Sequence, residues 1–341
     1  MMRVPSVRAY RVAETIAVVK FLTDFDPEYG SSVTAAPGIR RLVCPNPGPF
    51  TFTGTGTYAI TSDVGAVIID PGPDHVGHLS AAAVMAGSRP VAAVLVTHRH
   101  ADHAGGARAF ADRVEAPVLA AAWSTTEQSA PHPKTAESWE DGDGIGVENV
   151  GDATHFARSD EAVVDLPADR YLSDRDILNI GGLELEVVAT PGHIRDHVCF
   201  VWRRGGAVFS GDHVMGWSTS VLPPPHGHLE DYLRSLKRIG EFGDLTFFPT
   251  HGPPIPHAGD YVEELYAHRM MRTSQILDAL SRGDGTIEQI VRQIYVAINP
   301  LLIPAACLSV WAHLEMLVDQ NVVVVVDGLV PTLTSRYRLS T

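Results

Sequence analysis

Thr97-His98-Arg99-His100-Ala101-Asp102-His103 stands directly after the apolar run Val91-Ala92-Ala93-Val94-Leu95-Val96. Three imidazoles and a carboxylate between positions 98 and 103 are metal-binding groups gathered at the mouth of a strand. Imidazole and carboxylate suit zinc and its first-row neighbours. In extended backbone, His98 and His100 put both rings on one side, because side chains alternate along a strand. Asp102 and His103 then turn toward a second position nearby. Three buried imidazoles beside a carboxylate are hard to stabilise without a cation. One ion could use this cluster alone.

Three later pieces point to two ions. Thr190-Pro191-Gly192-His193 follows Leu183-Glu184-Leu185-Glu186-Val187-Val188, Gly211-Asp212 follows Ala207-Val208-Phe209-Ser210, and His251-Gly252-Pro253 follows Leu245-Thr246-Phe247-Phe248. Each candidate ligand sits just past a short β-like run, on a loop, where such folds place chemistry. A further aspartate ends the buried run Gly65-Ala66-Val67-Ile68-Ile69-Asp70. His197 lies in the same loop as His193 and is read as structural. Four further histidines, His132, His155, His257 and His313, are read as packed or solvated residues.

In this order the motifs resemble the metallo-β-lactamase superfamily: an early aspartate, H-x-H-x-D-H, a lone histidine, an aspartate and a final histidine. The resemblance implies a four-layer αββα sandwich; the alternation of strands and helices alone gives only an α/β fold. It implies that His98, His100 and His193 hold one ion, that Asp102, His103 and His251 hold a second, and that Asp212 bridges them. Asp70 is implied as a residue that orients the ligand loop without touching metal. Two zinc ions are expected, with manganese or iron as alternatives. A hydroxide shared between the ions would be the nucleophile, and Asp102 would also orient it or relay a proton.

Asn46-Pro47-Gly48-Pro49-Phe50, the stretch Gly211–Thr219, Pro249–Pro254, His268-Arg269 and Ala312-His313-Leu314-Glu315 narrow the resemblance to bacterial relatives of the lactamase-beta-like group. Members of that group join the catalytic domain to a winged-helix-like tail; some cut single-stranded RNA and related proteins are acyl thioesterases. The expected activity is hydrolysis of a small ester, thioester or related acyl substrate. The alternatives are an endoribonuclease or phosphodiesterase on single-stranded RNA and a non-catalytic winged-helix binding protein. An aspartate at 212, where several zinc β-lactamases carry cysteine, argues against antibiotic hydrolysis as the main activity.

Domain organisation follows from changes in pattern. Residues 1–39 read as an N-terminal extension, 40–257 as the catalytic domain, and 258–341 as the winged-helix-like domain. Residues 124–176 contain thirteen Asp or Glu against four Lys or Arg, a balance of −9, and are rich in turn residues. This acidic insertion is expected to be mostly loop, ordered where Phe156 or Tyr171 can anchor it. Phe50–Ile60 alternates at period two and reads as an edge strand and turn. Helical spacing covers Asp74–Met85, Gly105–Val114, Asp231–Ile239 and Tyr261–Ser281. Thr286 is placed as an N-cap with Glu288 close behind, a further helix spans about Pro304–Asp319, and a valine strand and a hairpin close the chain.

The chain has 341 residues, 26 Lys and Arg against 40 Asp and Glu, and a net charge of −14. That balance disfavours RNA, since a phosphate backbone is bound mainly through Lys and Arg. Residues 258–341 carry six Arg and nine Asp or Glu, so packing or homodimerisation is expected of the tail in place of duplex DNA binding. No apolar run reaches the roughly 18 residues of a membrane span, and the start shows no secretory pattern. Three widely spaced cysteines suggest reduced thiols and a cytoplasmic protein.

Overall fold

The computed structural model describes residues 19–122, 162–224, 226–296, 303–328 and 330–340. Seven strands form a first sheet in sequence order: β1 (Val33–Ala36), β2 (Ile39–Val43), β3 (Gly56–Thr61), β4 (Ala66–Ile69), β5 (Val91–Val96), β6 (Val118–Ala121) and β7 (Arg170–Leu172). β1 to β4 pair antiparallel, and β4 to β7 run parallel. The second sheet comprises β8 (Ile177–Ile180), β9 (Leu183–Ala189), β10 (Val198–Trp202), β11 (Ala207–Gly211) and β12 (Thr246–Pro249), with β11 and β12 parallel.

Both faces of each sheet are covered, so the central strands read as nearly continuous apolar runs. In β5, Ala93 and Leu95 point between the sheets while Val94 and Val96 point outward. In β10, Phe200 faces inward and Cys199 and Val201 outward. Helices α1 (Val76–Ala83) and α3 (Ala107–Val114) cover the outer face of the first sheet, where Leu79 and Phe110 meet Ile68 and Val94. Helix α4 (Leu229–Ile239) covers the outer face of the second, its Tyr232 and Leu236 sharing a core with Val188 and Val208. The arrangement is a four-layer αββα sandwich.

Tyr58 of β3 packs edge-on against Phe209 and Phe248 of the second sheet, with ring centroids 5.3 and 5.8 Å away. Each such aromatic pair contributes roughly 0.5–1.5 kcal/mol beyond its buried area. The Tyr58 hydroxyl donates to the Pro249 carbonyl at 2.6 Å, and Gly56 N–H donates to the Thr250 carbonyl at 2.7 Å. These bonds tie the two sheets together one and two residues short of His251.

Several expectations need correction. The segment Phe50–Ile60 is not one edge strand: only Gly56–Thr61 is extended, and it lies between β2 and β4. Phe52 takes φ +56° and the Asn46 side chain binds Thr55 twice, which turns the chain before the strand begins. The insertion ends earlier than its composition suggests, because β7 pairs with β6 and Leu166 is buried. Tyr171 is 53% exposed, whereas its neighbour Leu172 is buried between the sheets. Phe156 lies outside the described residues. The short helix α2 (Ala101–Ala104) precedes α3, so helix begins directly after His100 rather than at Gly105.

After β12 the chain forms α5 (Gly259–Ser281), β13 (Gly285–Thr286), α6 (Ile287–Ile294), α7 (Ile303–Asp319), β14 (Val323–Val325) and β15 (Arg336–Leu339). The last sheet has order β13-β15-β14. Thr286 caps α6 as expected, but its reciprocal partner is Gln289, not Glu288. These C-terminal elements do not stand apart. Leu265, Ile276 and Trp311 share one continuous core with Tyr232 and Val208 of the catalytic sandwich. Among the described residues no helix is long and apolar enough to cross a membrane.

Candidate metal centre

The seven predicted ligand residues converge at one end of the sandwich. His98 and His100 leave β5, and α2 supplies Asp102 and His103. The loops after β9, β11 and β12 bring His193, Asp212 and His251. All seven are buried. The loop architecture has steric requirements at two glycines. Gly211, at φ +52°, lies so close to His197 and Thr97 that an added Cβ would stand 2.5 and 2.9 Å from their side chains. Gly192, at φ +143°, is pressed against the Tyr232 backbone, where a Cβ would approach within 2.4 Å.

Two groups of ligand atoms result. His98 Nε2 lies 2.9 Å from His100 Nδ1, and His193 Nε2 lies 3.0 Å from the same Nδ1. His251 Nε2 stands 3.1 Å from Asp102 Oδ2, and His103 Nε2 stands 3.5 Å from it. The Asp212 carboxylate reaches toward both groups. Its Oδ2 is 3.7 Å from His193 Nε2, and its Oδ1 is 3.4 and 3.5 Å from His103 and His251 Nε2.

Electrostatics divide the two groups. Burial pushes the pKa values of His98 and His100 well below the ordinary histidine value, with the neighbouring imidazoles adding to the effect, and burial lowers that of His193. Three neutral rings therefore aim nitrogens at a common point. For His103 and His251 burial acts in the same sense, but the Asp102 and Asp212 carboxylates outweigh it and raise both. His103 Nε2, His251 Nε2 and Asp212 Oδ1 are buried without a hydrogen-bond partner. Orphaned buried polar atoms of this kind are costly, and a divalent cation among them would satisfy all three. The donor set of imidazole nitrogen and carboxylate oxygen fits such an ion.

Around the candidate ligands lies a network that reading the sequence found only in part. Asp70, fully buried at φ +48°, accepts from Thr97 N–H at 2.8 Å, the Thr97 hydroxyl at 2.7 Å, the Thr250 hydroxyl at 2.9 Å and His103 Nδ1 at 2.9 Å. His197 is structural: its Nε2 accepts the Asp212 backbone N–H at 3.2 Å and its Nδ1 bonds the Thr190 hydroxyl at 2.8 Å. His193 Nδ1 donates to the Val221 carbonyl at 2.7 Å. The signal that could have found the threonines is their place directly before His98 and His251. Of the isolated histidines, His313 is buried against Thr273 and His257 is exposed beside the Asp244 carbonyl. His132 and His155 lie outside the described residues.

Known proteins resemble this chain in sequence and in fold. Residues 51–251 match the description of the metallo-beta-lactamase superfamily, and residues 286–329 match a beta-lactamase associated winged helix domain. A beta-lactamase-like protein 2 homolog from Caenorhabditis elegans is 28% identical over 80% of this chain and 80% of its own. An atrochrysone carboxyl ACP thioesterase from Aspergillus chevalieri is 27% identical over 76% of this chain and 73% of its own. The crystal structure of a beta-lactamase domain protein from Burkholderia ambifaria shares the fold with a TM-score of 0.71, 22% identity, and 93% and 96% of the two chains covered. The chain belongs to the metallo-beta-lactamase superfamily of metal-dependent hydrolases and carries that superfamily's associated winged helix at its C-terminus.

Proposed function

We propose that this hydrolase acts on a small acyl substrate, an ester, thioester or lactone, with two divalent ions, zinc foremost. The observation that carries the dinuclear reading is the span of the Asp212 carboxylate between the two groups of imidazoles. His98, His100 and His193 would hold one ion, Asp102, His103 and His251 the other, and Asp212 both. When bound, such a pair supplies Lewis acidity for a carbonyl oxygen and lowers the pKa of a shared water toward neutrality. The chain's own residues do the rest. Asp70 fixes the His103 ring, His197 fixes the Asp212 backbone, and Asp102 would also orient the attacking water or take its proton.

Charge supports an acyl substrate over single-stranded RNA. An extended polyanion needs positive charge to offset repulsion from the protein's carboxylates, and the chain has 26 Lys and Arg against 40 Asp and Glu. A small acyl group faces no such penalty. The similarity to a named thioesterase supports the same choice. Buried Cys199 and Cys307, neither in a disulfide, support a reducing, cytoplasmic setting. The test is turnover of a model ester and a model thioester beside cleavage of single-stranded RNA at physiological salt. Acyl turnover that is abolished by chelator and by His100→Ala is expected, because a contaminating activity would persist in that variant. RNA cleavage lost in His100→Ala, with no acyl turnover, would overturn the reading.

A further inference from the structure

We propose that Arg269, on helix α5 of the winged-helix module, is a positioning residue for the metal centre, acting through the Ser220–Val221 backbone on His193. The proposal rests on the dinuclear reading above and makes the C-terminal module part of the site's scaffold.

Arg269 is 4% exposed, and among the described residues no carboxylate lies within ion-pair reach of it. A buried guanidinium without a carboxylate is expensive unless its protons are used elsewhere. Here Nη2 donates to the Ser220 carbonyl, and Nη1 lies 3.4 Å from the Ser309 hydroxyl as a weak second bond. The guanidinium carbon lies 5.3 Å from the centroid of the Tyr232 ring, whose negative face offsets part of the burial cost.

Two of these contacts, to Ser220 and to Tyr232, lead to the metal centre. Ser220 precedes Val221, and the Val221 carbonyl accepts from His193 Nδ1 at 2.7 Å. That bond fixes the ring orientation and leaves Nε2 as the atom that faces His100 and Asp212. Tyr232 in turn donates its hydroxyl to the His213 carbonyl at 3.0 Å, one residue from Asp212. From the same helix as Arg269, Tyr261 donates to the Met215 and Gly216 carbonyls, 2.9 Å from each. Helix α5 therefore holds the loop 213–221 near both of its ends, and Arg269 holds the end that supports His193. A charge-assisted bond to a backbone carbonyl, away from water, is strong enough to set that end in place.

Partners that orient a ligand histidine typically govern metal affinity by ~10–100-fold. Arg269 acts one bond farther out than Val221, so the lower end, roughly tenfold, is expected of Arg269→Ala. Arg269→Lys keeps the charge but not the planar fork, and should fall between the two. Thr273→Val, one turn farther along α5, is the control: its hydroxyl bonds His313 at 2.9 Å and the Arg269 backbone carbonyl at 3.2 Å, and touches neither the Arg269 guanidinium nor the loop.

The experiment is a chelator titration of zinc-loaded full-length protein, with the retained zinc counted. In Arg269→Ala, and less so in Arg269→Lys, one of two equivalents should leave at about a tenth of the chelator concentration required in the native chain. The other should leave unchanged, and Thr273→Val should release both as the native chain does. A second readout uses metal-free protein: the His193 Nδ1 proton, seen by nuclear magnetic resonance, should exchange slowly in the native chain and rapidly in Arg269→Ala. Native-like zinc release in both Arg269 variants, or equal weakening of both equivalents in Arg269→Ala and Thr273→Val, would overturn the proposal. A native chain that takes up no zinc would instead sink the dinuclear reading, and then the Nδ1 proton alone decides whether Arg269 positions His193.

Discussion

Asp70 Oδ2 and His103 Nδ1 lie 2.9 Å apart, both fully buried, although 33 residues separate them in the chain. The bond orients the ring so that Nε2 faces Asp102, Asp212 and His251. The same carboxylate also takes the hydroxyls of Thr97 and Thr250, so the loops carrying His98, His103 and His251 share one acceptor. Asp70→Ala would leave these buried donors without a partner. Stability of the metal-free protein is expected to fall by more than about 2 kcal/mol, since bonds to a buried charge contribute roughly 1.5–3 kcal/mol each. Urea unfolding of metal-free native and variant chains would measure it. A loss under about 0.5 kcal/mol would mean that water replaces the carboxylate at little cost.

Asp212→Ala tests the bridge. Elemental analysis of native protein purified without chelator should approach two equivalents of divalent metal, and the variant should retain one or fewer. Asp212→Asn should also lose metal, because an amide keeps one oxygen but not the charge needed between two cations. Full occupancy in Asp212→Ala would remove the bridging assignment while leaving both histidine clusters intact.

The legible and illegible parts of this site differ in sequence range. His98, His100, Asp102 and His103 sit within one turn of chain after an apolar strand, so local pattern exposes them. His193, Asp212 and His251 are legible because each follows its own apolar run. The residues that hold them in place are another matter. Thr250 reaches Asp70 across 180 positions and Arg269 reaches Ser220 across 49, and contacts of that kind leave no periodicity in sequence. Strand β7 escaped for a different reason. As an edge strand it buries only Leu172 of its three residues, so it shows neither an apolar run nor alternation.

Duplex DNA binding is not expected of the winged helix. Its third helix, Ile303–Asp319, contains no Lys or Arg, and Val310, Trp311, Leu314 and Leu317 are buried in the core shared with the catalytic domain. A recognition helix needs cationic and polar side chains free to enter a groove. Full-length protein should therefore show no salt-sensitive binding to duplex DNA at micromolar concentration in a fluorescence-anisotropy titration. Nanomolar binding that weakens steeply with added salt would contradict this and would mean that the wing, with Arg336 and Arg338, carries the contact.

The same helix carries a carboxyl that should make stability depend on pH. Glu315 is half-buried on α7, and burial, with Asp319 one turn away adding repulsion, raises its pKa from 4.5 to about 7. Between those values the folded chain binds the proton and the unfolded chain does not, so folding stability falls as pH rises through that window. Below about pH 4.5 both states are protonated and the group contributes nothing. Above about pH 7 the folded state carries the full penalty, on the order of 1–2 kcal/mol after allowance for solvent screening. Glu315→Gln mimics the protonated carboxyl at every pH. Urea unfolding of metal-free native and Glu315→Gln chains should give equal stabilities near pH 4.5, with the variant ahead by that amount at pH 8. The difference between the two curves cancels the titration of the metal ligands, which both chains share. A difference that stays constant from pH 4.5 to 8 would show that Glu315 has the same affinity for its proton folded and unfolded, and the burial of α7 against the catalytic domain would then impose no pH dependence through this residue.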